Sequence, residues 1–173
     1  MKDKPEVLIS QEEINEKIRI SAERLSDELR DQPILFVSIL TGAFIFTADY
    51  MRQMSTHCEI AFMSASSYGD SDTSSGVVKV ELDIKKDISA YNVVILEDII
   101  DTGNTIAKVT ELLRARHPIS LRVIALLDKP SRRINGFKAD EVLFEIEDKF
   151  VVGYGLDHAG KYRELPYVGV CST

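Results

Sequence analysis

The sequence predicts a single α/β domain over 1–173, built on a mostly parallel central sheet flanked by helices. Three observations predict it. Apolar runs of strand length alternate with segments of helical period along most of the chain. The run Val93-Val94-Ile95-Leu96 is apolar at every position, as a parallel strand covered on both faces requires. The chain of 173 residues is about the size of one domain with one sizeable core.

Each element has its own signal. Ser10 with Glu13 forms a capping box, and Ile14, Ile18, Ala22, Leu25 and Leu29 follow at helical spacing. Ile34 to Ile39 is an apolar run of strand formers, and Ala43 to Met54 reads as a helix. Ile60 to Met63 is the next strand. Val77 to Leu82 alternates and reads as its hairpin partner across the polar segment Ser66 to Gly76. A long polar loop is either a hairpin tip or a functional segment. Thr105 to Arg116 is a helix with Ile106, Val109, Leu112 and Leu113 inward. Leu121 to Leu127, Val142 to Ile146 and Phe150 to Tyr154 complete the strands.

Composition excludes several function classes. Hydrophobic residues make up 45% and charged residues 28%, the balance of a globular chain rather than a disordered one. The net charge of −7, with no long Lys/Arg run, argues against nucleic acid as a partner. Cys58 and Cys171 stand in no metal-ligand spacing and are too few for a disulfide framework, so a reduced, cytoplasmic protein is expected. Met1 to Ser10 has no apolar signal core. The uncharged stretch between Asp31 and Asp49 contains Pro33, Ser38, Thr41, Gly42 and Thr47. It reads as strand, turn and helix start rather than a membrane span.

In parallel α/β sheets, ligands bind beyond the carboxyl ends of the strands. The most informative stretch is therefore Glu97-Asp98-Ile99-Ile100-Asp101-Thr102-Gly103-Asn104-Thr105, between the most apolar strand and a helix. Gly103 permits a tight turn, Thr102 and Thr105 supply hydroxyls, and the open N–H groups of a helix start suit a phosphate. Two acids beside such a cradle repel phosphate unless they hold sugar hydroxyls or a divalent cation. Asp101, inside the loop, is a candidate general base. The competing reading is a capped helix N-terminus with acids that favour its dipole.

This stretch resembles the phosphoribosyl-diphosphate motif of type I phosphoribosyltransferases: apolar strand, two acids, two apolar residues, Asp-Thr-Gly, any residue, Thr. Leu127-Asp128-Lys129-Pro130-Ser131-Arg132, then Phe150-Val151-Val152-Gly153-Tyr154-Gly155-Leu156-Asp157, then Arg163 follow in the order of the hypoxanthine-guanine phosphoribosyltransferase family. The resemblance runs from about Ile34 to Val170. It implies the type I phosphoribosyltransferase fold with a small hood and a flexible loop. It also implies purine salvage from phosphoribosyl diphosphate and a 6-oxopurine, a magnesium cofactor, and a homodimer or homotetramer.

The resemblance further implies residue roles. Glu97 and Asp98 bind ribose, Asp101 to Thr105 hold the 5′-phosphate, and Asp101 is the catalytic base. Lys129, Phe150, Val151 and Asp157 face the purine. Thr41, Gly42 and Arg163 face pyrophosphate, with a cis Leu40–Thr41 peptide in that loop. Glu97, Asp98 and Asp157 contact metal, and Ser67-Tyr68 opens the flexible loop. By residue type alone, Phe150 is a core phenylalanine, Lys129 a solvated loop lysine, and Asp157 and Arg163 surface charges. His57 and His117 have no partner in sequence, and His158 merely adjoins Asp157. The sequence departs from many relatives at Thr41, where they carry Lys or Arg, and from some at Asn104, where they carry Lys. Xanthine as the base, an RNA-binding regulator of the same fold, and a generic nucleotide-binding domain are the other readings. Net charge opposes the second, and the ordered motifs oppose the third.

Overall fold

The computed structural model describes residues 4–67 and 78–171. In chain order the described elements are β1 (Glu6–Ile9), α1 (Gln11–Glu28), β2 (Ile34–Leu40), α2 (Phe44–Gln53), β3 (Glu59–Ser67) and β4 (Val78–Leu82). They continue with β5 (Asn92–Ile100), α3 (Asn104–Arg114), β6 (Ser120–Asp128), a 3-10 turn (Pro130–Arg132), β7 (Glu141–Glu145), β8 (Val151–Val152) and β9 (Val168–Val170). The main sheet has the order β4-β3-β2-β5-β6-β7. All its pairings are parallel except β3 with β4, which is antiparallel.

The sheet explains the unbroken apolar runs. In β2 and β5, Phe36, Val94 and Leu96 pack toward α1 and α2, while Leu35, Val37, Val93 and Ile95 pack toward α3. Successive side chains of a strand point to opposite faces, so a strand covered on both faces must be apolar throughout. On α1, Ile14, Ile18, Ala22 and Leu25 form the buried stripe, and the Ser10–Glu13 capping box is complete. On α3, Ile106, Val109 and Leu113 are buried, with Leu112 only half-buried at the edge of the stripe. Ser21 on α1 pairs with the Tyr50 hydroxyl on α2 at 2.7 Å, and Thr47 on α2 donates to Ser38 on β2 at 2.8 Å. Among the described residues no buried side-chain polar atom lacks a partner, as a well-formed core demands.

Several boundaries differ from the sequence reading. The strand begun at Val93 extends to Ile100, so the acid pair lies within β5 rather than after it. Its ladder with β6 runs as far as Ile100 and Asp128, which outweighs the poor strand propensity of Glu97 and Asp98. The strand expected from Phe150 to Tyr154 contracts to Val151–Val152. Gly153, Tyr154 and Gly155 all have positive φ, which ends an extended chain. The helix expected from Thr105 to Arg116 closes at Arg114.

A second, smaller sheet joins β1, β9 and β8 antiparallel; β1 and β9 are strands the sequence reading does not predict. Strands of four, three and two residues are too short to show periodicity. This small sheet ties both ends of the described chain together and carries the segment of Phe150 and Val151.

Strand order reverses between β2 and β5: the chain passes from β2 outward to β3, and from β5 outward to β6 on the other side. Such a switch point leaves a crevice at the strands' carboxyl ends.

Candidate active site

At that crevice the loop after β2 meets the end of β5. A Cβ placed on Gly42 would fall 1.6 Å from Asp98 Oδ2, so the Asp98 carboxylate occupies the space a side chain would need. Only glycine allows this approach. Glu97, 6% exposed, lies beside it. Asp98 Oδ1 accepts from its neighbour Ile99 N at 2.9 Å, and Glu97 Oε1 accepts more loosely from Asp98 N at 3.3 Å. Burial pushes the Glu97 carboxyl well above the usual range, and the Asp98 charge pushes it further. Burial also raises Asp98, against a smaller opposing pull from hydrogen bonds and the Arg163 charge. A buried and a half-buried carboxyl side by side, without a full counter-charge, can receive hydroxyl donors or a cation.

Beyond Ile100 the chain turns into α3. Gly103 takes φ of 88° at the helix cap, and a Cβ there would meet Arg133 Cδ and Asn135 Oδ1 at 2.7 Å. Residues 133–135 therefore brace the loop from behind. Ile134 N donates to Thr102 O at 3.2 Å, and Asn135 Nδ2 donates to Asn104 Oδ1 at 3.2 Å. No side chain caps α3 at Gly103; the nearest approach is Asn104 N to Thr102 Oγ1 at a long 3.4 Å. An uncapped helix start with Thr102 and Thr105 beside it in sequence can receive an anion. The competing reading of a conventionally capped helix does not describe it.

Asp101 is half-exposed, and its Oδ1 accepts from Arg132 Nε at 2.9 Å. This contact raises the Arg132 guanidinium above its ordinary value. Arg133 donates to the Asp101 carbonyl at 3.2 Å and is itself held by Asp128 and the Phe137 carbonyl. The 3-10 turn after β6 is thus fastened to the phosphate loop. Arg132, Arg133 and the more distant Asp148 were given no role by the sequence reading. Their contacts with Asp101 and Lys129 span separations no local pattern registers.

The residues expected to face the purine depart from what their types alone imply. Lys129 is buried at 8% exposure, its N–H donating to Ile100 O at 3.0 Å and its Nζ standing 3.5 Å from Asp148 Oδ1. Phe150, by contrast, is 49% exposed, its ring edge-packed on His158 at 5.1 Å between centroids. A buried ammonium and an exposed aromatic face invert the ordinary placement of the two residue types. Val151 sits in β8, paired with Val170.

On the other flank the Leu40–Thr41 peptide is cis, as expected, and Thr41 is exposed. A Cβ on Gly155 would lie 2.1 Å from Gly42 O, so the β2 loop and the turn after β8 touch. Arg163 fixes that turn, donating from Nη1 to Gly155 O at 2.6 Å and pairing through Nη2 with Asp157 Oδ1 at 2.7 Å. Asp157 Oδ2 accepts from Gly160 N at 2.7 Å. Asp157 and Arg163 are partners rather than separate surface charges. Among the described residues no three His, Cys, Asp or Glu side chains gather into a metal cluster, so Glu97, Asp98 and Asp157 do not form one cage. Hard carboxylate oxygens on two sides of the crevice still fit magnesium, which takes one or two carboxylates and completes its shell from substrate oxygens and water. Ser67 is the last residue of β3; Tyr68 and the rest of the expected flexible loop lie outside the described residues. Among the described residues no helix is long and apolar enough to cross a membrane.

Comparison with known proteins matches the same framework. The model of the phosphoribosyl transferase domain matches residues 7–159. The chain is 46% identical to the hypoxanthine-guanine phosphoribosyltransferase of Bacillus subtilis, covering 97% of this chain and 93% of that protein. It is 43% identical to the hypoxanthine phosphoribosyltransferase of Escherichia coli, covering 98% and 96%. Among solved structures, a hypoxanthine phosphoribosyltransferase from Staphylococcus aureus superposes with a TM-score of 0.92 at 40% identity, over 96% of this chain and 91% of that one. A family model that spans both loops of the crevice, and relatives matched almost end to end, settle the kinship: the chain belongs to the phosphoribosyl transferase domain family.

Proposed function

We propose that the chain transfers the 5-phosphoribosyl group of phosphoribosyl diphosphate to hypoxanthine or guanine, giving IMP or GMP and pyrophosphate in purine salvage. The observation that carries this is the Asp98 carboxylate seated in the place of a Gly42 side chain. It joins the loop suited to pyrophosphate to the acid pair suited to ribose, one strand-end away from an uncapped helix start suited to the 5′-phosphate. The names of the relatives supply the bases.

In this reading the N–H groups and hydroxyls from Thr102 to Thr105 clamp the 5′-phosphate and fix the sugar. Glu97 and Asp98 accept from the ribose hydroxyls. Thr41, Gly42 and Arg163 face pyrophosphate, and the Arg163 guanidinium suits a fork of phosphate oxygens. Phe150 stacks on the purine, the Val151 backbone meets its edge, and Lys129 donates to the 6-oxo group, which a 6-amino group does not match. N9 bonds to C1 of the ribose as the C1–pyrophosphate bond breaks, and Asp101 takes the proton the purine ring releases. Glu97 and Asp98 on the ribose side and Asp157 on the other would hold magnesium, which when bound would supply positive charge toward the leaving pyrophosphate. Work in the cytoplasm as a homodimer or homotetramer accompanies this reading.

The test is nucleotide formation from phosphoribosyl diphosphate and magnesium with hypoxanthine, guanine, xanthine and adenine in separate reactions. Product from hypoxanthine or guanine is expected. Product from xanthine or adenine alone overturns the base assignment. No product from any of the four overturns the reaction and leaves a regulator of the same fold.

A further inference from the structure

Between the buried lysine and the proposed proton acceptor runs a chain of alternating charges that the reaction above leaves unused. Lys129 caps the 3-10 turn Pro130–Arg132 and Arg132 ends it. Both reach one carboxylate. Lys129 Nζ is 3.5 Å from Asp148 Oδ1, and Arg132 Nη1 is 3.5 Å from Asp148 Oδ2. Arg132 Nε meanwhile holds Asp101 Oδ1 at 2.9 Å. Asp148 thus serves two cations, each at the outer limit of hydrogen bonding. Arg132 serves two carboxylates and grips Asp101 the tighter. Arg132, Asp101 and Asp148 are all close to half-exposed, so their partners exchange at little cost. Lys129 is nearly enclosed, with Asp148 as its anionic partner among the described residues.

We propose that Arg132 and Asp148 are positioning residues that couple recognition of the purine to release of Asp101. This rests on the functional reading above. When a 6-oxopurine draws the Lys129 ammonium to its oxygen, Asp148 loses one of its two cations. It then takes the Arg132 guanidinium fully onto itself. Asp101, freed from Arg132, accepts the ring proton as N9 bonds to C1. A base with an amino group at that position does not engage Lys129 and leaves Asp101 clamped, so the exchange also discriminates between bases.

The experiment is a double-mutant cycle on the full chain with magnesium and phosphoribosyl diphosphate. Single-turnover IMP formation and the KM for hypoxanthine are read for the unsubstituted chain, Asp148→Asn, Arg132→Gln and the pair. Asp148→Asn is expected to slow the single turnover about tenfold, since Arg132 then stays on the base and weakens it. The KM for hypoxanthine is expected to stay within about twofold of the unsubstituted chain. Adding Arg132→Gln should restore the rate to within about threefold, a rescue that structural damage at position 148 would not give. An unslowed Asp148→Asn, or a double variant slower than either single one, overturns the exchange alone. No IMP from the unsubstituted chain overturns the functional reading and the exchange with it.

Discussion

Gly42→Ala is a one-carbon test of the crevice. The added Cβ would lie 1.6 Å from Asp98 Oδ2 and 2.5 Å from its Cγ. To reach ordinary contact at 3.4 Å, the carboxylate must retreat by about 1.8 Å or the loop must rise by the same amount. Either movement displaces the acid proposed to face the ribose relative to the loop proposed to face pyrophosphate. A misplacement of about 1 Å in a reacting complex costs roughly a hundredfold. The expected result is a kcat/KM for phosphoribosyl diphosphate at least about a hundredfold lower. Overpacking costs about 1–3 kcal/mol, and each kcal/mol lowers the melting temperature of a domain this size by about 2–4 °C, so the fold survives. Steady-state kinetics against phosphoribosyl diphosphate, with a thermal melt of the same preparation, separate the two effects. A variant with the expected melt and kcat/KM within about threefold of the unsubstituted chain refutes the assignment of Asp98 to the sugar.

Three other perturbations probe the rest of the site. Asp101→Asn keeps the shape of the loop but removes the proton acceptor, so kcat should fall about 10²–10⁴-fold while phosphoribosyl-diphosphate affinity, read by titration calorimetry, changes little. Phe150→Ala removes a half-exposed ring; it should raise the KM for hypoxanthine about tenfold yet cost under about 1 kcal/mol in urea unfolding, because little of the ring is in the core. Glu97→Gln should stabilise the unliganded chain at pH 7.5 by about 1–2 kcal/mol while sharply weakening phosphoribosyl-diphosphate binding. The sign follows from burial, which raises the Glu97 and Asp98 carboxyls above their unfolded values of 4.5 and 3.8. The folded state binds those protons more tightly, so the stability they contribute is present below the unfolded values and is lost as pH rises through the raised ones. Urea midpoints from pH 4 upward should therefore fall faster in the unsubstituted chain than in Glu97→Gln, and parallel slopes would refute the buried charge.

What the sequence made legible was whatever is encoded locally. The capping box of Ser10 and Glu13 needs only a spacing of three. The doubly buried β5 announces itself by apolar residues at every position, and the turn at Gly103 by its composition. The parts that stayed hidden depend on long-range pairing. Val168–Val170 is a strand only because Glu6 and Val7 on one side and Val151 and Val152 on the other hydrogen-bond to it. Asp148 matters only because the chain between it and the 3-10 turn folds back on Lys129 and Arg132. Lys129 and Phe150 fall between these cases. Residue type alone assigned them to the wrong sides of the surface, and only the family pattern marked them. Their inverted burial is the physical trace of a site in which a charge must be held in a wall and a ring must be left bare.

The crevice also shows where this chain gives up stability for chemistry. The core otherwise follows every local rule: apolar strands, stripes on helices, paired polar atoms. The rules break together at the carboxyl ends of β2 and β5. There a buried and a half-buried carboxyl lie side by side, and a helix starts without a side-chain cap. Each feature is unfavourable or neutral for folding on its own. In the proposed reaction each meets a different part of one ligand: hydroxyls for the carboxyls and a phosphate for the helix start. A fold under selection for stability alone would have capped α3 and replaced Glu97 with an apolar residue, as Val93 to Leu96 before it already are. Concentration of these departures within one switch point, while both surrounding cores stay regular, is what a site shaped around phosphate, sugar and leaving group requires.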